Sequence, residues 1–271
     1  VPNDARAASR RLLLLAGTTE ARQLAEAIAT TRSSPPIVVT VSFAGRTSKT
    51  TPMAGEIRVG GFGGIDGLVA FLRDQRIDAV LDATHPFAAI MPFHAAAACE
   101  STNTPLLRLL RPAWDMTQRD RWVRVASLQL AARALRTLGS KHVLLASGRQ
   151  ELAPFAALDD VEFTVRSIEP PDVSGFTHAE VVLERGPFTV ESEITLLQRR
   201  SIDTIVTKDS GGSATIEKLE AARRLGITVV IVDRPPSPDV ATVSTVDEAL
   251  TWVLEHAGPF EHGVAMPDAP G

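Results

Sequence analysis

The chain of 271 residues contains no tyrosine and a single cysteine, Cys99. Without a phenol, the Tyr-Lys chemistry of short-chain dehydrogenases is excluded. One cysteine excludes an intrachain disulfide and any multi-cysteine metal site. Cys99 follows the run Ala95–Ala98 and reads as a buried helix thiol, not a nucleophile. No apolar run approaches the ~20 residues of a membrane span, and no G-x-S-x-G is present. The histidines at 85, 94, 142, 178, 256 and 262 show no paired ligand spacing, so no metal is expected. A net charge of −4 argues against a nucleic-acid partner. Val1–Arg11 is polar and charged, without the apolar centre of a signal peptide. A cytoplasmic location without a membrane partner is the resulting expectation, with a monomer favoured.

What is present is a globular composition, 44% hydrophobic and 22% charged. Apolar strand-like runs alternate with helical ones, the pattern of an α/β protein with mainly parallel sheets. The first series predicts strands at Leu12–Ala16, Ile37–Phe43, Glu56–Val59, Ala79–Ala83 and Leu106–Leu109. Its helices are expected at Glu20–Ala29, Ile65–Gln75 and Phe87–Glu100. Pro112–Arg121 breaks the rhythm. The second series predicts strands at His142–Ser147, Glu162–Ile168, Ala179–Glu184, Thr204–Thr207 and Thr228–Val232. Its helices are expected at Leu128–Leu138, Val190–Arg200, Ala214–Leu225 and Val246–His256. Two Rossmann-like α/β domains are expected, over 10–112 and 122–257, with an interdomain cleft and flexible tails at 1–9 and 258–271.

Residues 12–46 carry the strongest signal. An apolar strand runs into Gly17-Thr18-Thr19-Glu20 and a helix, and the second strand leads into Ser42-Phe43-Ala44-Gly45-Arg46. Gly17 permits a tight turn, and a threonine can cap the helix whose N-terminus suits a phosphate. In a βαβ dinucleotide fold the end of the second strand meets the adenosine ribose. An acid there favours NAD, whereas an arginine accommodates the 2′-phosphate of NADP. Ser42 and Arg46 therefore point to NADPH. Thr84-His85-Pro86 follows the fourth strand on the same sheet edge, where a nicotinamide could rest. His85 can donate a proton or a hydrogen bond. Gly60-Gly61-Phe62-Gly63-Gly64 reads equally as a mobile loop beside the cofactor or as a linker.

In the second half, Lys208-Asp209-Ser210-Gly211-Gly212 between strand and helix reads as an anion site. Arg149 and Arg185 follow other strands, and Arg108 and Arg111 lie at the end of the fifth. Arginine forks onto carboxylates. Several cations at strand ends suggest a substrate with several carboxylates. A non-catalytic two-domain anion-binding or nucleotide-binding protein is the alternative from another class. A methyltransferase is the enzyme alternative, disfavoured because it would place a carboxylate where Ser42 and Arg46 stand.

These stretches, with Glu184-Arg185-Gly186-Pro187-Phe188, Thr207-Lys208-Asp209-Ser210-Gly211-Gly212 and Val232-Asp233-Arg234-Pro235, resemble the precorrin-6A and cobalt-precorrin-6A reductases of cobalamin biosynthesis. The resemblance runs over about residues 10–257. Family members commonly carry glycine where Ala16 stands and often tyrosine where Phe87 stands. The resemblance implies an oxidoreductase that moves a hydride from NADPH to one double bond of the polycarboxylate tetrapyrrole precorrin-6A, giving precorrin-6B. It assigns Gly17, Thr18, Thr19, Glu20, Ser42, Arg46, Thr84 and His85 to the cofactor. Arg108, Arg149, Arg185, Lys208, Ser210, Gly211 and Gly212 are assigned to the substrate, with His85 and Lys208 as catalytic candidates.

Overall fold

The computed structural model describes residues 9–43, 53–149, 151–212 and 216–256. The chain divides into two units, residues 1–111 with 237–271, and residues 112–236.

In the first unit the strands are β1 (Arg10–Leu15), β2 (Ile37–Phe43), β3 (Glu56–Val59), β4 (Ala79–Asp82) and β5 (Leu106–Leu109). They are joined by α1 (Thr19–Thr30), α2 (Gly64–Asp74) and α3 (Met91–Thr102). Four consecutive leucines, Leu12–Leu15, are buried without alternation. That is the mark of a parallel strand covered on both faces. All pairings in this sheet are parallel. One core joins Leu12, Leu14 and Val41 to Leu24 and Ile28 of α1. The opposite face joins Leu13, Leu15 and Val80 to Leu68, Leu72, Ala95 and Cys99.

The second unit holds β6 (Trp122–Val125), α4 (Leu128–Leu138), β7 (His142–Ala146), β8 (Glu162–Ser167) and β9 (Ala179–Leu183). It continues with α5 (Val190–Arg199), β10 (Thr204–Lys208), α6 (Glu217–Leu225) and β11 (Thr228–Val232). Helix α4 shows the local logic. Ser127 Oγ caps it by accepting from Leu130 N–H, and Leu128, Ala131, Ala132 and Leu135 form the buried stripe.

The last elements, β12 (Thr242–Val243) and α7 (Val246–His256), return to the first unit. β12 pairs with β5, and Ala249 and Val253 of α7 join the Leu12–Leu14 core. The expected second domain of 122–257 is corrected on this point. Residues 237–256 belong with the first unit, because their apolar face is buried there. The unit boundary falls between Arg111 and Pro112, at the expected end of the first domain, and 112–121 groups with the second unit.

The strand orders are β12-β5-β4-β1-β2-β3 and β6-β11-β10-β7-β8-β9. Counted from β1 and from β7, both follow one plan. Three strands run outward to one side, then the chain returns beside the first strand and adds two strands on the other side, whose outermost place is taken by β12 and by β6. The direction reverses between β1 and β4, and between β7 and β10. Ligands of open parallel sheets bind at the carboxyl ends of such switch points.

Candidate functional site

In the first unit, register aligns the site edge. Leu15 pairs with Ser42 on one side and with Asp82 on the other. The loops after β1 and β4 therefore emerge side by side. Gly17 suits their approach, since a Cβ there would meet His85 N at a tight 3.3 Å. Thr18 caps α1, its Oγ1 accepting from Ala21 N–H at 3.1 Å and donating to the Ala83 carbonyl at 3.0 Å. One hydroxyl thus fastens the helix N-terminus to the second loop. Gly17, Thr18, Thr84 and His85 are brought together as the sequence suggests.

Thr19 opens the first turn of α1, and Glu20 follows it. The Glu20 carboxylate is ion-paired with Arg111 at 2.9 Å, so its charge is countered rather than presented to a phosphate. Thr84 N–H donates to Asp82 Oδ1 at 3.0 Å. Burial pushes the Asp82 carboxyl above its ordinary range, opposed by Thr84 and by Arg108. His85 Nδ1 accepts from Phe87 N–H at 3.2 Å. A neutral ring so held carries its proton on Nε2.

Two expectations are corrected on this edge. Helix α3 begins at Met91, not Phe87, so Thr84–Ile90 form a loop ahead of the helix. The helix start falls by Pro92 because proline is tolerated only in the first turn. Arg108, expected to hold substrate, is 3% exposed. Its Nε lies 3.4 Å from Asp82 Oδ2, and it donates to Ser237 Oγ. Its head group is consumed inside the unit.

Ser42 is buried at the end of β2. Arg46 lies outside the described residues. Arg58, which sequence reasoning passed over, reaches Ser42 from β3: its Nη1 is 3.4 Å from Ser42 Oγ. It also donates to the carbonyls of Gly60 and Gly61 at 2.5 and 2.8 Å. With Gly60 N–H on the Phe43 carbonyl at 2.9 Å, the start of the glycine loop is fastened to the sheet. The only sequence signal was its position in a four-residue strand.

In the second unit Ala146 pairs with Thr207, which sets Ser147 and Lys208 at adjacent strand ends. Lys208 is ion-paired with Glu151. Arg149, after β7, meets Glu169 at 2.6 Å. The Ser147 hydroxyl is buried and has no hydrogen-bond partner among the described residues. Asp209 is fully buried and braces the loop, accepting from Trp114 N–H at 3.1 Å and from Arg124 Nη2 at 2.7 Å. Ser210 N–H turns back to the Lys208 carbonyl at 2.7 Å. Gly211 has φ +64°, and a Cβ there would come within 2.0 Å of the Pro112 carbonyl. Gly212 accepts from Trp114 Nε1 at 2.9 Å. Arg234 donates to the carbonyls of Asp209 and Pro112 at 2.9 and 3.0 Å, clamping the same loop.

Lys208, Ser210, Gly211 and Gly212 thus form one built loop beside Arg149. Helix α6 is described from Glu217 with Ile216 as its N-cap, later than the expected Ala214. Arg185 is not at this switch point. It is exposed beyond β9 at the sheet edge, beside a cavity of about 270 Å³ lined by Arg166, Phe188 and Ser192. Arg166 was also passed over. It is buried, paired with Glu193 at 2.7 Å, and stacked 4.5 Å from the Phe188 ring centroid. Among the described residues no group of three potential ligands could hold a metal ion, and no helix is long and apolar enough to cross a membrane.

Fold and site together define a two-unit protein of the open parallel α/β class, with a glycine-bearing strand-loop-helix edge in the first unit and a cation-bearing loop edge in the second. The profile of the precorrin-6x reductase CbiJ/CobK family matches residues 11–254. A precorrin-6A reductase of Rhodococcus erythropolis is 43% identical over 244 residues, 90% of this chain and 97% of the relative. One from a Sinorhizobium species is 43% identical over 251 residues, 92% and 94% of the two chains. A solved structure titled CobK precorrin-6A reductase superposes with a TM-score of 0.84 at 38% identity, covering 91% of this chain and 97% of that one. The chain belongs to the precorrin-6x reductase family.

Proposed function

We propose that the chain is an NADPH-dependent reductase that adds hydride to one double bond of precorrin-6A, giving precorrin-6B in corrin-ring synthesis. The observation that carries the cofactor half is the Gly17 turn, closed against the His85 loop at the switch point of the first unit. A side chain at 17 would press on His85 N, so the loop fits the close backbone approach a pyrophosphate needs. In this reading Gly17, Thr18 and the backbone N–H groups of Thr19 and Glu20 hold the pyrophosphate. Ser42 and Arg46 take the 2′-phosphate, and Thr84 and His85 orient the nicotinamide end. When bound, NADPH supplies the hydride. With Nδ1 accepting from Phe87 N–H, a neutral His85 ring can donate from Nε2, and an exchangeable proton completes the reduction.

The carboxylate arms of the tetrapyrrole fall to Lys208, Ser210, Gly211, Gly212 and Arg149, with Arg185 as an outlying contact. The unpartnered Ser147 hydroxyl supports a polar ligand at that edge. Relatives named precorrin-6A reductase reach 38–43% identity, and those named cobalt-precorrin-6A reductase 26–32%. That difference favours the metal-free macrocycle as substrate. Membership of a reductase family sets aside the methyltransferase and the non-catalytic binding protein.

Titration with NADPH and NADH, followed by fluorescence, tests the cofactor half. A hydrogen bond to a charged group is worth about 1.5–3 kcal/mol, so Arg46→Ala is expected to weaken NADPH about 10- to 150-fold. Equal binding of the two nucleotides by the native chain would refute NADPH dependence.

A further inference from the structure

Most cations at the strand ends meet a carboxylate. Arg108 meets Asp82, Arg111 meets Glu20, Arg149 meets Glu169 and Arg166 meets Glu193. Arg58 does not. Among the described residues its partners are the carbonyls of Gly60 and Gly61, the Ser42 hydroxyl, and the rings of Phe62 and Phe71. The guanidinium lies 3.9 Å from the Phe62 ring centroid and 5.3 Å from that of Phe71. Among the described residues this half-buried cation is met by dipoles and π faces and by no carboxylate, and a cation so held attracts an anion.

Position names the anion. Arg58 is the register partner of Ser42 across β2 and β3. In this fold the end of the second strand is where the adenosine ribose of a dinucleotide is read. Hydroxyl chemistry adds to the charge. Ser42 Oγ accepts from the cation, so its own proton is turned away from Arg58 and can be donated to a phosphate oxygen.

We propose that Arg58 is a specificity-determining residue of the 2′-phosphate subsite. It sets the donor direction of Ser42, holds the Gly60–Gly61 backbone, and supplies positive charge that distinguishes NADPH from NADH. This inference rests on the NADPH reading above.

The test is a fluorescence titration of the full chain with NADPH and NADH, and a parallel titration with adenosine 2′,5′-bisphosphate and AMP, which differ only in the 2′-phosphate. Arg58→Ala is expected to weaken NADPH and the bisphosphate about 10-fold or more and to leave NADH and AMP within about twofold. Arg58→Lys keeps the charge but not the fork, and is expected to lose less than Arg58→Ala. If the alanine variant does not fold, Arg58→Gln replaces it as the neutral form. A purely structural role would weaken both members of each pair equally, and that result overturns the proposal. Loss of NADPH preference in Arg46→Ala but not in Arg58→Ala would overturn this inference alone. No preference in the native chain would overturn the cofactor reading with it.

Discussion

Burial decides what individual side chains can do. Cys99, on the buried face of α3, packs in the core with the leucines of the first sheet, 3% exposed. Burial, aided by the nearby Asp82 charge, pushes its thiol up to about 12. The thiolate is the reactive form, so Cys99 is expected to resist a thiol reagent at pH 8 until the protein is unfolded by denaturant. Rapid native-state labelling would show the site to be open. Asp120 behaves oppositely. Burial alone would raise its carboxyl, but hydrogen bonds from Arg223 and Thr117 outweigh burial and hold it below the ordinary 3.8. A depressed carboxyl contributes stability that is present above pH 3.8 and lost as pH falls through the lowered value. Asp120→Asn is expected to cost about 1.5–3 kcal/mol at neutral pH. In urea denaturation the gap from the native chain should shrink below pH 3.8. A gap independent of pH would mean that the pair contributes by packing alone.

Among elements, the loops at strand ends combine structural need with candidate function. The Lys208–Gly212 loop is braced by Asp209, Trp114 and Arg234, and only glycine fits at 211. Gly211→Ala combines a left-handed φ with a clash on the Pro112 carbonyl. It is expected to destabilise the second unit by more than about 1 kcal/mol, read as a shift in the denaturation midpoint. An unshifted midpoint would show that the loop can relax. Ten of the twelve strands among the described residues were legible as apolar runs bounded by turn residues. The two that were not, Trp122–Val125 and Thr242–Val243, are short edge strands. They carry too few residues for a period to show, and Arg124 interrupts the first. The loop from Gly17 was legible because glycine and a capping threonine leave a local signature. Arg58 and the burial of Arg108 were not, because both depend on which strands become neighbours. The late start of α3 was obscured by the apolar residues ahead of Met91, which read as helix but form a turn.

At the scale of the molecule, the two units repeat one strand plan without a sequence repeat, and each sheet's edge strand comes from across the chain's order. β6 follows β5 in sequence yet pairs with β11, while β12 follows β11 yet pairs with β5. Helix α7 thereby completes one core of the first sheet. Val253 is fully buried in that core. Val253→Asp places an unpaired charge there and is expected to cost about 3 kcal/mol or more. Because the residue lies far along the chain from Gly17, loss of nucleotide binding in this variant would report the returning segment's part in the first unit. Retained stability would mean that α7 is dispensable.

Reduction of the macrocycle is the activity to measure directly. Purified chain would be incubated with metal-free precorrin-6A and NADPH, and the macrocycle followed by mass spectrometry together with NADPH absorbance. The expected product is heavier by two hydrogens, with one NADPH oxidised per macrocycle and far slower turnover with NADH. An unchanged macrocycle in the presence of a chain shown to bind NADPH would contradict the proposed reduction.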